Sequence, residues 1–132
     1  MADGANTPGS IDQNTEERLP VSLDAEQAIL GAILFDNEIF YRAAAFLKGE
    51  HFYDPVHRMI YEACGDLINS GRLASPVALD TYLSSSEGYV EAGGKKYLEL
   101  LAANVPSTSG AIDYAKIVFD LSVCRGLINI GS

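Results

Sequence analysis

Aspartate and proline at positions 54 and 55 fix a helix start more firmly than any other pair in the chain, and the residues behind them fix the fold class. Asp54 offers a side-chain acceptor to free amides, and Pro55 stands at the first helical position, where its missing N–H costs nothing. Val56, Met59, Ile60, Ala63, Cys64, Leu67 and Ile68 then recur at i, i+3, i+4 spacing, and Gly71 closes the run. An amphipathic helix of this kind needs an apolar partner, so the segment is the expected spine of a helical core.

The same punctuation recurs on both sides. Ser22 is the cap of a first helix in which Leu23, Gln27, Leu30 and Leu34, joined by Ile33, give one apolar side ending near Phe35. Asp36 or Asn37 caps a second, with Ile39, Phe40, Ala43, Phe46 and Leu47 inward and Gly49 as its stop. Ser75-Pro76 starts a shorter helix carrying Leu79, Tyr82 and Leu83, and Gly94 opens another with Tyr97, Leu98 and Leu101. After Val105-Pro106, Ser107, Thr108 and Ser109 offer caps for a last helix from about Ala111 towards Ile130. No segment alternates with period two for long. The expected fold is therefore all-α, a compact orthogonal bundle of about six helices. Its core is expected to hold Leu30, Leu34, Phe40, Phe52, Met59, Ile60, Leu67, Leu79, Leu83, Tyr97, Leu98, Leu101, Ile117 and Val118, with Ser22, Asp54 and Ser75 as helix caps. Residues 1–18 have Ile11 as almost their only large apolar side chain and cannot offset their ordering entropy. They read as a disordered arm before a globular unit over 19–119.

With 132 residues, 48% of them hydrophobic, one such domain can build a real core. The net charge of −9, with nine scattered Lys and Arg, argues against a nucleic-acid footprint. Two cysteines, Cys64 and Cys124, both at apolar helix positions, make no disulfide framework and point to the reducing cytosol. Neither a secretory signal nor a membrane span is expected.

Reactive constellations are hard to find. The stretch from Gly88 to Lys96 imitates a phosphate loop in the separation of Gly88 and Gly93. Yet Gly94 stands where lysine is needed, and Lys96 follows Lys95 where a hydroxyl is needed. A small autonomous nucleotide-binding regulator using this loop is the alternative function; a turn releasing the chain into a helix is the simpler reading. His51 and His57 have no metal-ligand set around them, and His57, in the first turn of the spine helix, is expected to bond a backbone or carboxylate group. Glu62 and Asp66 read as a solvated face, Lys95 and Lys96 as wet surface, and both thiols as buried. Tyr53, Tyr61, Tyr82, Tyr97 and Tyr114 read as core packing with the hydroxyl at the rim. No catalytic residue, cofactor site or metal site is expected, which leaves a binding or assembly module.

The last helix carries the positive signal. Ile112, Ala115, Val118 and Phe119 serve packing on the body, but Leu121, Cys124, Leu127, Ile128 and Ile130 continue an apolar stripe beyond it. A stripe without a partner invites another helix. Residues 120–132 are accordingly expected to begin a linker that is cut inside a helix at the boundary of a larger protein.

Several short stretches, in order, resemble a known family. Ala25-Glu26-Gln27 with Leu30-Gly31, Phe52-Tyr53 with His57 and Ile60, Gly93-Gly94 with Tyr97-Leu98 and Leu101, Asn104-Val105-Pro106-Ser107, and Tyr114-Ala115 with Ile117-Val118 are similar to the N-terminal domain of bacterial replicative DNA helicases, the DnaB family. The resemblance runs from about Leu19 to Ile130. It implies a non-catalytic collar domain in a hexameric ring, a trimer of dimers, whose separate motor domain would bind ATP and magnesium and unwind DNA. It further implies that the last helix starts a hairpin pairing subunits, that primase and possibly a helicase loader dock on the collar, that DNA is met only through the assembled ring, and that the setting is the bacterial cytoplasm. Leu121-Ser122-Val123-Cys124-Arg125-Gly126 departs from the longer, more charged helix common in relatives.

Overall fold

Helix α1, Leu23–Phe35, is buried on nearly every side: Ala25, Glu26, Ala28, Ile29, Leu30, Gly31, Ala32 and Ile33 are all inside. A helix apolar all round is a central helix. The structure, a computed structural model, describes the backbone of residues 19–131 and side chains through Gly126; the expected arm at 1–18 lies outside the described residues. Ser22 caps α1, its Oγ accepting from the Ala25 amide at 3.1 Å. Here the one-sided reading of this helix is corrected, because Leu23 is 44% exposed and the true axis of the core is α1, not the 54–71 spine.

After α1 come α2 (Glu38–Ala43), a 3-10 turn (Gly49–His51), α3 (Pro55–Asn69), α4 (Pro76–Leu83), α5 (Glu87–Glu91), α6 (Lys95–Ala103) and α7 (Ala111–Gly131). The fold is all-α, with seven α-helices and no strand among the described residues. Two details depart from the six-helix expectation. α2 ends at Ala43, not at Gly49, because the Phe46 and Leu47 amides both turn back onto the Ala43 carbonyl and wind the chain into the 3-10 turn. The extra helix is α5, a short element that buries Tyr89 with its hydroxyl donating to Asp80 at 2.6 Å.

Local chemistry sets the other ends. Asp54 Oδ1 accepts from the Val56 amide at 2.8 Å at the start of α3, and Ser75 Oγ accepts from the Ala78 amide at 3.2 Å at the start of α4. Gly71, at φ +80°, lets the Arg72 amide return to the Leu67 carbonyl and stop α3. Of the two expected caps Asp36 serves α2, its Oδ1 accepting from the Glu38 amide at 3.1 Å; the Asn37 side chain instead donates to the Ile33 and Ala74 carbonyls and accepts from the Ala74 amide, pinning the end of α1 to the residue before the α4 cap.

α1 packs against α7 and α6 most extensively, and against α3 and α2. Leu30, Phe40, Phe52, Ile60, Leu67, Leu79, Leu83, Leu98, Leu101 and Val118 are buried around it. Leu34, Met59 and Tyr97 are only partly buried at the core's edge. Ile117, expected inside, is 42% exposed, because the inner face of α7 runs through Ala111, Ala115 and Val118.

Gly31 sets the approach of α1 to α6. A Cβ there would press into the Leu101 carbonyl oxygen and stand 3.2 Å from its carbon. Backbone gives way less readily than a side chain, so Gly31→Ala should cost about 1–3 kcal/mol in urea unfolding despite alanine's better helix propensity. Gly126 has nothing within 4 Å of its Cβ position, so Gly126→Ala should gain up to about 1 kcal/mol in the same measurement.

Candidate functional site: a buried acid relay and the last helix

Glu26 is 2% exposed, and its carboxylate holds three donors. Oε2 accepts from the Tyr53 amide at 2.6 Å, and Oε1 from the Asp54 amide at 3.3 Å and His57 Nδ1 at 2.8 Å. All three donors sit at the entrance to α3, where free amides and the helix dipole favour negative charge. Charge-assisted bonds of this kind are what make a buried carboxylate tolerable. Asp54 thus caps α3 from within, and Glu26 caps its approach from another helix.

The contacts continue as a chain: His57 meets Glu26 through Nδ1 and the Tyr97 hydroxyl through Nε2 at 2.5 Å, and the Tyr97 oxygen accepts from Gln27 Nε2 at 3.1 Å. The His57 and Tyr97 rings stack with centroids 5.9 Å apart. Carboxylate, imidazole and hydroxyl in series imitate a nucleophilic triad, but the hydroxyl is the wrong kind. Burial pushes the Tyr97 phenol up, opposed by the Gln27 bond and reinforced by the charges of Asp54 and Glu26. A phenol held more protonated than usual is no nucleophile, so the relay fastens α1, α3 and α6 together without activating anything.

His57 meets a carboxylate, as expected of it, but the burial of Glu26 was not read from the sequence. One signal was present: Glu26 is a lone charge inside the apolar run from Ala25 to Leu34. His51 keeps to a local role, its Nδ1 accepting from the Lys48 amide at 2.8 Å. Desolvation lowers its pKa below the usual imidazole value, with Lys48 and Arg125 adding to the effect and Glu50 opposing it. No group of three or more His, Cys, Asp or Glu side chains suited to a metal occurs among the described residues.

The Gly88–Lys96 stretch lacks the strand–loop–helix setting of a phosphate loop. Gly88 lies inside α5, Gly93 (φ 125°) and Gly94 (φ 60°) form the turn into α6, and Lys95 and Lys96 are exposed. Tyr61 is buried with its hydroxyl on the Leu47 carbonyl at 2.7 Å, whereas Tyr53 and Tyr82 are 46% and 49% exposed rather than packed in the core.

The last helix stays on the body further than the expected junction at 119/120. Phe119 packs edge-on against Phe46 and His51, and Arg125 donates to the Pro20 and His51 carbonyls, each at 2.8 Å, with its guanidinium 5.5 Å from the Tyr53 ring centre. Its outer side mixes apolar Ile117, Val123 and Cys124 with charged Asp113, Lys116 and Asp120, all exposed, and Leu121 is half-buried. Cys124 is therefore not a buried thiol. The side chains of Leu127 and Ile128 lie outside the described residues.

A family model described as the DnaB-like helicase N terminal domain matches residues 18–120. The replicative DNA helicase DnaB of Rickettsia felis (strain ATCC VR-1525 / URRWXCal2) is 40% identical over 113 residues, covering 86% of this chain and 23% of that protein. That of Geobacillus stearothermophilus is 38% identical over 113 residues, covering 85% of this chain and 25% of that protein. The chain thus spans about a quarter of the length of the curated relatives it matches. Among solved structures, the crystal structure of the N-terminal domain of DnaB helicase from Mycobacterium tuberculosis superposes with a TM-score of 0.81 at 32% identity, over 86% of this chain and 83% of that one.

Glu26→Gln replaces one acceptor oxygen by a donor facing N–H groups, and should cost about 1–3 kcal/mol in urea unfolding. Burial pushes the Cys64 thiol up to about 12 from 9.0, so its contribution to stability is full below pH 9. It should fade between pH 9 and 12, as the unfolded thiol ionises while the folded one cannot. At neutral pH an aromatic disulfide reagent should therefore titrate Cys124 alone in the native chain and both thiols in guanidinium.

Proposed function

The chain belongs to the DnaB-like helicase N-terminal domain family, and on that premise we propose that it is a non-catalytic scaffold: it assembles subunits of a replicative helicase into a collar and receives other replication proteins. The observation that carries this reading is the outer face of α7, where Ile117, Leu121 and Cys124 stand at the 4-3 spacing of a helix-pairing seam. A core-facing role is closed to Ile117 and Cys124, since both lie outward. The relay, a catalytic triad only in outline, and the lack of a phosphate-loop setting support a role without chemistry of its own.

In this reading α7 and the hairpin it begins join subunits in pairs, three pairs close a six-membered ring, and primase or a helicase loader meets the collar's outer surface. ATP and magnesium belong to a separate motor domain of the parent protein, which unwinds DNA at the fork in the cytoplasm. The chain's own charge of −9 keeps it from holding DNA directly and leaves that to the assembled ring.

The test is self-association. Light scattering at rising concentration should show the mass climbing from 14.2 kDa towards twice that value, and Ile117→Asp with Leu121→Asp should hold it at 14.2 kDa without loss of helical signal. Equal masses for the two proteins at every concentration would refute pairing through α7. Calorimetry with magnesium and ATP should give no binding heat from this chain.

A further inference from the structure

The relay that begins at Glu26 ends at a cleft. Between α1 and α6 lies a hollow of about 310 Å³ lined by Asp24, Gln27, Ala28, Leu100, Leu101, Asn104 and Pro106. Its floor and walls are apolar, through Ala28, Leu101, Pro106 and the 55% exposed Leu100. Its polar groups are two carboxamides and a carboxylate. Gln27 turns its Nε2 to the Tyr97 hydroxyl oxygen at 3.1 Å, which leaves its Oε1 unbonded among the described residues. Asn104 is ordered likewise, its Nδ2 donating to the Leu100 carbonyl at 2.9 Å and its Oδ1 left over. Asp24 completes the set with a carboxylate that has no ion pair or hydrogen bond among the described residues. Lys96, one turn before Leu100, is exposed and makes no ion pair with it.

The carboxylate and two free amide oxygens, beside one spare N–H on each carboxamide, leave the cleft richer in acceptors than donors and, over an apolar floor, suit a cationic head on an apolar stem. We infer that this cleft is a docking site for an arginine or lysine side chain presented by a basic segment of a partner protein. Charge complementarity selects that occupant: the chain carries 18 acidic against 9 basic residues, and the lip of the cleft holds the Asp24 carboxylate, unpaired among the described residues. The apolar walls receive the methylene stem, which long cationic side chains bury readily. A nucleic-acid strand or an acidic peptide would bring a second negative charge against Asp24. The inference goes beyond the scaffold reading and does not depend on pairing through α7: a chain kept monomeric by Ile117→Asp with Leu121→Asp still presents Asp24, Gln27 and Asn104.

The probe is a short acetylated and amidated peptide with a central arginine beside a leucine, titrated into the full 132-residue chain and followed by proton–nitrogen correlation spectra. The largest shifts should fall on the side-chain amides of Gln27 and Asn104 and on the backbone of residues 100–104. The same peptide with neutral citrulline in place of arginine should bind about tenfold more weakly, as should the arginine peptide to Asp24→Asn. Tyr97→Phe, which frees the Gln27 amide to rotate, should weaken binding with the helical signal intact, while Glu91→Gln on α5 should change nothing. Equal binding of the citrulline peptide, an unchanged affinity in Asp24→Asn, or shifts spread evenly over the acidic surface would each overturn the assignment.

Discussion

Glu26 decides how the central helix is rotated. Because α1 carries Ala, Ile and Leu on every side, burial of apolar area distinguishes poorly between one rotation about its axis and another. Two features break that degeneracy. The Glu26 carboxylate is tolerable only where the Tyr53 and Asp54 amides and His57 Nδ1 meet it, and Gly31 alone permits the backbone of α6 to approach at Leu101. Five residues apart on a helix, these demands point about 140° from each other, so together they fix both α3 and α6 around α1. Leaving the carboxylate unpaired would cost far more than any apolar rearrangement gains, which is how a polar group can specify one packing among several.

From α1 the order passes outward. α6 is held by the Tyr97 hydroxyl at one point and by the Gly31 approach at another, one turn further along. α3 is held at its start by Glu26, and Asn37 ties the last turn of α1 to Ala74, just before the cap of α4. The apolar core fills what these polar fasteners have placed. Tyr89, buried by a helix of only five residues, shows the same pattern in miniature, since its hydroxyl reaches Asp80 across to α4.

Much of this was legible in the sequence, for reasons specific to each element. α3 and α4 announce themselves because a capping side chain followed by proline is a local signal, and no distant contact can change where such a helix starts. α1 is visible as a helix but not as the axis. Gln27 and Leu23 suggest one wet edge, and only the packing of four neighbours shows that the remaining faces are covered. The end of α2 depends on the Ala43 carbonyl receiving two amides, a choice made by where Leu47 must be buried, and periodicity carries no trace of it. The relay is the harder case. His57 advertises a need for a partner, whereas Glu26, 31 positions away, is paired with it by tertiary structure alone. Ile117 misleads for a related reason: its neighbours Val118 and Ala115 are enough to bury α7, and the helix uses smaller residues inward than its sequence offers.

The same economy of small residues explains how the last helix keeps large apolar side chains outward while remaining part of the body. Ala111, Ala115 and Val118 let α7 lie close on α1, and Arg125 closes the contact at the far end with two carbonyls and an aromatic ring. A helix seated on alanines keeps its larger apolar side chains for the outside. Seated along Ala111–Val118 and tied again at Arg125, it cannot roll to hide them, so Ile117 and Cys124 face outward at an angle set by α1, which is itself set by Glu26. In this chain that direction traces back, through packed elements, to one buried carboxylate.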